Sequence, residues 1–238
     1  MPVGFSSAAR NLFLLGSSGG DVITNVCKTI TDRSTNGSFI VDEIKYDYDD
    51  DSYTIGGTAQ DSNSINFGWL DERDEAGVED WAQRIVSPAS QDVTLRAFDC
   101  NSNYLIAVGK AGDFPYLVKF SDASGRVLWS SSSYSADVEY TSVAIDPLGN
   151  SYVAGSSFTS GFIEKFDSQG NPGWGKSADM PGRQVVIKKL DVSNKTGVVG
   201  VGFLEDDSRD KGYLVKLNPI TGDVEWDRTI STNDVGSN

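Results

Sequence analysis

Apolar residues along this chain fall in short runs broken by glycine, asparagine, aspartate and serine. No i, i+3, i+4 pattern persists for three turns, so the pattern disfavours helix and predicts short strands joined by turns. One arrangement is written four times. Tyr116-Leu117-Val118-Lys119-Phe120 leads to Gly125 and then Trp129, and Phe162-Ile163-Glu164-Lys165-Phe166 leads to Gly170 and Trp174. Tyr213-Leu214-Val215-Lys216-Leu217 leads to Gly222 and Trp226, and Phe67-Gly68-Trp69-Leu70 leads to Gly77 and Trp81. Each tryptophan follows its glycine by four residues, which reads as strand, glycine turn, strand: a hairpin.

A second hairpin precedes each of these. Its turns are expected to begin at Asp47, Asp99, Asp146 and Asp191, in stretches rich in turn residues such as Asp146-Pro147-Leu148-Gly149-Asn150. Short apolar strands ending in glycine follow: Tyr53-Thr54-Ile55-Gly56, Tyr104 to Gly109, Tyr152-Val153-Ala154-Gly155 and Val198 to Gly202. The tryptophans are spaced by 48, 45 and 52 residues, a period that suits a four-stranded repeat unit. The predicted fold is therefore all-β: a β-propeller-like array of four four-stranded antiparallel blades plus an N-terminal partial repeat. The blades are expected at residues 38–86, 92–134, 138–178 and 184–231.

This divides the chain into an N-terminal segment (1–37), a four-blade domain (38–231) and a polar tail (232–238). Residues 11–30 read as the partial repeat. Asn11 to Gly16 resembles the second strand of a blade. Gly20-Asp21-Val22 followed by Lys28-Thr29-Ile30 resembles Gly222-Asp223-Val224 followed by Arg228-Thr229-Ile230. The segment is expected to close the array or to reach a neighbouring subunit. The repeated Trp81, Trp129, Trp174 and Trp226, with Gly77, Gly125, Gly170 and Gly222, are expected to form a structural core between blades. An indole buries roughly 150–250 Å², which gives each tryptophan a role without any ligand.

Charge and composition then narrow the function. Lys and Arg number 20 against 34 Asp and Glu, a net charge of −14, so neither nucleic acid nor an anionic membrane surface is an expected partner. The chain has no histidine, which excludes Ser–His–Asp and Cys–His catalysis and His-ligated zinc. Cys27 and Cys100 are too few for a disulfide framework and read as buried free thiols. No apolar run approaches the 18 or so residues of a membrane-spanning helix. The run Leu12-Phe13-Leu14-Leu15 is too short for the core of a secretory signal. The chain is therefore expected either not to be exported by the usual route or to have lost its signal.

The densest acidic cluster is Asp47, Asp49, Asp50 and Asp51. The alternating carboxylates Asp47, Asp49 and Asp51 are candidate metal ligands, because they match the start of a calcium loop. The match stops at Ser52, where glycine is required, and at Thr58, where a bidentate glutamate is required. A solvated turn is the competing reading. Asp71-Glu72-Arg73-Asp74-Glu75 is placed in the first blade's turn and expected to face solvent, and residues 205–210 read as a charged loop. Gly16-Ser17-Ser18-Gly19-Gly20 lacks the lysine of a phosphate loop. No carboxylate pair stands out for glycoside hydrolysis, and no polar set for a quinone. The expectation is no catalytic residue and no cofactor.

The third unit, Asp146 to Gly155, then Gly161-Phe162-Ile163-Glu164-Lys165-Phe166-Asp167, Gly170-Asn171 and Trp174, resembles a bacterial seven-bladed propeller repeat of the SBBP type. It is similar, more distantly, to quinoprotein-like and outer-membrane assembly propellers. The resemblance implies a fold rather than a reaction. The opening Met1 to Arg10 is similar to the N-terminus of some virion structural proteins of contractile-tailed phages. These resemblances imply a structural or interaction protein of a phage tail, baseplate or fibre, located in the virion and working in an oligomeric assembly. Its partners would be other virion proteins and a host-surface glycan or protein. The alternatives are a bacterial surface or periplasmic propeller binding protein or glycan, and a propeller enzyme of glycosidase or quinoprotein type.

Overall fold

The computed structural model describes residues 39–47, 51–87, 91–132, 138–157, 160–178, 184–193, 197–205 and 211–230. Among these described residues sixteen strands form four sheets, one per repeat. The first blade holds β1 (Phe39–Asp47), β2 (Ser52–Gln60), β3 (Asn66–Asp74) and β4 (Glu79–Ile85). The second holds β5 (Val93–Asn101), β6 (Tyr104–Ala111), β7 (Phe114–Ser121) and β8 (Val127–Ser132). The third holds β9 (Glu139–Ile145), β10 (Ser151–Ser156), β11 (Gly161–Phe166) and β12 (Pro172–Ala178). The fourth holds β13 (Gln184–Ser193), β14 (Gly197–Glu205), β15 (Lys211–Leu217) and β16 (Val224–Ile230). Within every sheet the strands pair antiparallel in chain order. The propeller-like array of four four-stranded blades expected from the repeat is thus the observed architecture. The N-terminal partial repeat and the polar tail lie outside the described residues.

Chain-order pairing has a geometric consequence. The first and third strands of each blade end on one side of the array, and the second and fourth strands end on the other. The first strands β1, β5, β9 and β13 are the innermost, and successive ones pack on each other. Lys189 on β13 also reaches Glu43 on β1, at 2.9 Å.

The core lies between blades. Leu70 and Ile85 of the first blade pack with Phe98, Leu105, Val118 and Phe120 of the second. Ile106, Val108 and Leu117 pack with Tyr140, Val143 and Val153 of the third. Tyr152, Ala154 and Ile163 pack with Val185, Ile187, Val198 and Leu204 of the fourth. Successive residues of a strand face opposite sides, so a middle strand such as β6 buries Leu105 toward one neighbour and Ile106 toward the other. This explains why these runs are apolar throughout instead of alternating.

A β-bulge recurs in all four innermost strands. The register skips Asp42, Arg96, Thr141 and Lys188, each beside the residue paired with Gly57, Gly109, Gly155 or Gly202. A Cβ on these glycines would lie 1.9, 1.9, 2.4 and 1.8 Å from the carbonyl oxygens of Ile40, Thr94, Glu139 and Val186. Only glycine lets the second strand approach the bulged one so closely. The expectation that the second strands end in glycine is therefore corrected: they run four residues past Gly56, two past Gly109, one past Gly155 and three past Gly202.

The bulge also connects blades. Neighbouring side chains accept from backbone N–H groups near the skipped residues: Phe98 N donates to Glu43 Oε2 at 2.9 Å and Leu190 N to Ser142 Oγ at 3.0 Å. Leu95 N donates to Thr58 Oγ1 at 3.0 Å. Local breaks in the sheet ladder are thereby tied to the adjacent unit.

Two further readings are corrected. Asp99 and Asp191 do not begin turns but sit inside β5 and β13, where the strands run longer than the turn composition suggested. Asp71 and Glu72 do not face solvent. Both are buried on β3, and Asp71 accepts from Arg73 Nη2 at 2.6 Å. An ion pair accounts for a charge buried there, which a charge-run reading cannot foresee.

Candidate functional site

Three of the four repeated tryptophans meet the glycine of the next unit at the seams between blades, while Trp226 is 37% exposed and Gly77 has no indole against it among the described residues. Trp81 lies against Gly125, Trp129 against Gly170 and Trp174 against Gly222. These glycines have φ of +60°, +87° and +73°, the left-handed conformation that closes the turn after a third strand. A Cβ there would meet the facing indole at 2.5, 2.7 and 2.5 Å. Each indole N–H also crosses the seam: Trp81 Nε1 donates to Asp122 O at 2.7 Å, Trp129 to Ser168 O at 3.1 Å and Trp174 to Pro219 O at 3.2 Å. The three indoles are half-buried at the margins of the inter-blade clusters. Trp174→Ala is expected to destabilise the protein by about 2–3 kcal/mol, below the range for a fully buried indole. A denaturant titration showing parental stability would contradict the seam.

Two lysines reinforce this latch. Lys119, with no exposed surface, donates to Gly149 O at 2.7 Å and Ser168 O at 3.2 Å, and its ammonium lies 3.9 Å from the centre of the Tyr104 ring. Burial holds its pKa below the ordinary lysine value, against the pull of Asp146 and Asp167. Lys165 donates to Pro219 O at 2.8 Å. Both occupy the same place in their repeats, the fourth position of Tyr116-Leu117-Val118-Lys119 and of Phe162-Ile163-Glu164-Lys165.

Charged side chains also gather along the innermost strands. Lys45 lies 3.4 Å from Asp99 Oδ1, and Asp99 Oδ2 accepts from Ile145 N at 2.9 Å. Burial raises the Asp99 pKa despite the lysine. Burial opposes the Lys45 charge, but Asp99 and Glu43 outweigh it and hold its pKa above the usual value. Asp99→Asn, which retains an acceptor for Ile145, is expected to change stability by less than about 1 kcal/mol. Asp99→Ala, which strands that N–H, is expected to cost about 1–3 kcal/mol in the same urea titration.

Of the proposed calcium ligands, Asp49 lies outside the described residues. Asp47 is buried at the end of β1. Asp51 has φ of +55° and accepts from the Tyr46 hydroxyl at 2.6 Å, a bond that pushes the Tyr46 pKa up to about 12. Among the described residues no group of three metal-ligating side chains converges. Chelator is expected to leave the melting temperature unchanged; a rise of several degrees on adding calcium would restore this turn as a site. Cys100 carries a free thiol, which burial pushes up in pKa, and Cys27 lies outside the described residues. The charged loop at 206–210 also lies outside them. A cavity of about 210 Å³ on the second blade is lined by Ser87, Gln91, Tyr116, Ser130 and other residues, with no carboxylate or amine. No described helix is long and apolar enough to cross a membrane.

Comparison with known proteins concerns the scaffold. A family described as SBBP, a β-propeller repeat, matches residues 132–162. The scaffold is a β-propeller repeat array. No curated protein matches the sequence. Among solved structures, one titled as a eukaryotic initiation factor superposes with a TM-score of 0.54 at 12% identity, covering 87% of this chain and 46% of its own. The quinohemoprotein alcohol dehydrogenase of Comamonas testosteroni superposes with a TM-score of 0.50 at 12% identity, covering 75% and 33%. The Dos1 propeller gives 0.45 at 13% identity, covering 81% and 60%. This chain thus spans less than two thirds of each of these structures. At such identities the likeness concerns fold alone.

Proposed function

We propose that this chain is a non-enzymatic assembly protein, a phage virion component of the tail, baseplate or fibre that uses its blades as a contact scaffold. The observation that carries the interaction role is at the turn end of the third and fourth blades. There Leu148 and Ile220 are 75% and 80% exposed at the tips of two turns. The turns belong to adjacent units, and the Tyr152 hydroxyl lies 3.3 Å from both Asp146 Oδ2 and Pro219 O. Apolar tips on rigid turns, set beside Asp167 and Asp223, suit a protein surface that is partly apolar and partly basic. The turns hold their own shape: Asp146 Oδ1 accepts from Leu148 N and Asn150 N, and Asn218 Oδ1 from Ile220 N and Thr221 N. A partner would therefore meet a preorganised surface.

The virion assignment is supported by the similarity of residues 1–10 to the N-terminus of some virion structural proteins of contractile-tailed phages. A second reading, a bacterial surface or periplasmic propeller binding protein or glycan, is favoured by the repeat match at residues 132–162. Mass spectrometry of density-purified particles and of cell-envelope fractions from the source culture separates them. The chain is expected to band with particles, and Leu148→Asp with Ile220→Asp is expected to abolish incorporation while leaving the melting temperature unchanged. Recovery only in the envelope fraction would overturn the virion reading.

A further inference from the structure

The cavity of about 210 Å³ on the second blade is built from neutral groups, and the strand register explains their convergence. Phe114 pairs with Ala111, Tyr116 with Ser132 and Val118 with Ser130, and paired residues share a face of the sheet. Val118 lies in the cluster that holds Leu70, so this is the face turned toward the first blade. Tyr116 is 8% exposed and lines the cavity, yet its hydroxyl has no hydrogen-bond partner among the described residues. The fourth blade shows what holds such a group elsewhere. Tyr213 stands opposite Gly202 as Tyr116 stands opposite Gly109, and its hydroxyl donates to the Asp227 carboxylate. Asp227 pairs with Val215 as Ser130 pairs with Val118. A serine in place of that carboxylate leaves the Tyr116 hydroxyl unsatisfied and opens the space beside it.

We propose that this cavity binds one neutral sugar residue, a pyranose at the end of a glycan. Among the described residues its lining carries no carboxylate, amine or guanidinium, and a net charge of −14 repels acidic ligands, so the ligand is uncharged. The side chains of Tyr116, Ser130, Ser132 and Gln91 have no hydrogen bond among the described residues, and together they offer the donors and acceptors that a ring of hydroxyls requires. Phe114 and Tyr116 add aromatic surface, which suits the C–H face of a pyranose. The volume is below the roughly 300–1,000 Å³ of pockets for drug-sized ligands, which limits the site to one ring. The Tyr116 hydroxyl supplies selection, because a ring that lacks a matching hydroxyl loses that bond. The cavity lies at the ends of β6 and β8, on the opposite side of the array from Leu148 and Ile220, so a sugar and a protein partner do not compete. The inference does not depend on the virion reading, which particle fractionation tests separately.

Ligand-observed NMR titrations of the full-length protein test it, with the methyl glycosides of glucose, galactose, mannose, xylose and N-acetylglucosamine as probes and methyl glucuronide as the charged control. At least one neutral glycoside is expected to bind, and the glucuronide to bind about tenfold more weakly or not at all. Tyr116→Phe is expected to weaken the neutral glycoside by about three- to tenfold and to leave the melting temperature unchanged, because no bond within the protein is lost. Ser130→Asp is expected to abolish binding with the fold retained, its carboxylate taking the Tyr116 hydroxyl as Asp227 takes that of Tyr213. No binding by any of these neutral glycosides would overturn the proposal. So would binding that survives Ser130→Asp, a Tyr116→Phe protein that binds as the parent does, or a glucuronide that binds equally well.

Discussion

Gly109→Ala is expected to be among the most damaging single-methyl substitutions in this protein, costing about 3–5 kcal/mol. The added Cβ would lie 1.9 Å from Thr94 O, and that carbonyl belongs to the bulged strand β5, which packs on both neighbouring blades. Neither partner is a flexible side-chain end, so relief requires moving backbone in the most buried part of the molecule. Gly175→Ala on the outer strand β12 is the control. Its Cβ meets only Glu164, at 3.6 Å and beyond, and its loss of unfolded-chain freedom makes the change neutral or mildly stabilising. Urea titrations of the two variants decide the matter, since equal midpoints would show that the bulge tolerates a side chain.

The second large effect is expected at the seam glycines. Gly170→Ala combines a left-handed φ of +87° with a Cβ placed 2.7 Å from Trp129, for a total of about 2–4 kcal/mol. Asparagine distinguishes the two causes, because it tolerates left-handed backbone but carries the same Cβ. If the turn conformation alone mattered, Gly170→Asn would recover most of the loss. The indole beyond it predicts that Gly170→Asn is no better than alanine in the same titration.

The repeat was legible because its tryptophans and turn glycines are chemically conspicuous. Trp129 and Gly170 have one rotationally rigid ring and one special φ between them, and neither is easily replaced by other residues. Their spacing fixed the blade boundaries to within a few residues. It did not reveal that three of the tryptophans meet the glycine of the following unit and not their own, because seam contacts are non-local. Lys119 was missed for the same reason: its burial depends on carbonyls of the next blade, Gly149 O and Ser168 O. The bulges were missed because Gly57, Gly109 and Gly202 carry the composition of a strand end. Only pairing shows a skipped residue opposite them. Asp71 and Glu72 misled because a charge run usually marks solvent, and the Asp71–Arg73 pair, two residues apart on one face, follows only once residues 71–73 are placed on a strand and not in a turn.

The central claim is that indole-on-glycine seams join four units into one body, and a double-mutant cycle at one seam tests it most directly. Trp129→Ala, Gly170→Ala and the double variant are compared by urea denaturation. The contact predicts non-additivity of about 1–2 kcal/mol, with Gly170→Ala costing far less once the indole is gone. Costs that add within about 0.3–0.5 kcal/mol would mean that Trp129 and Gly170 do not act on each other, and would contradict the seam.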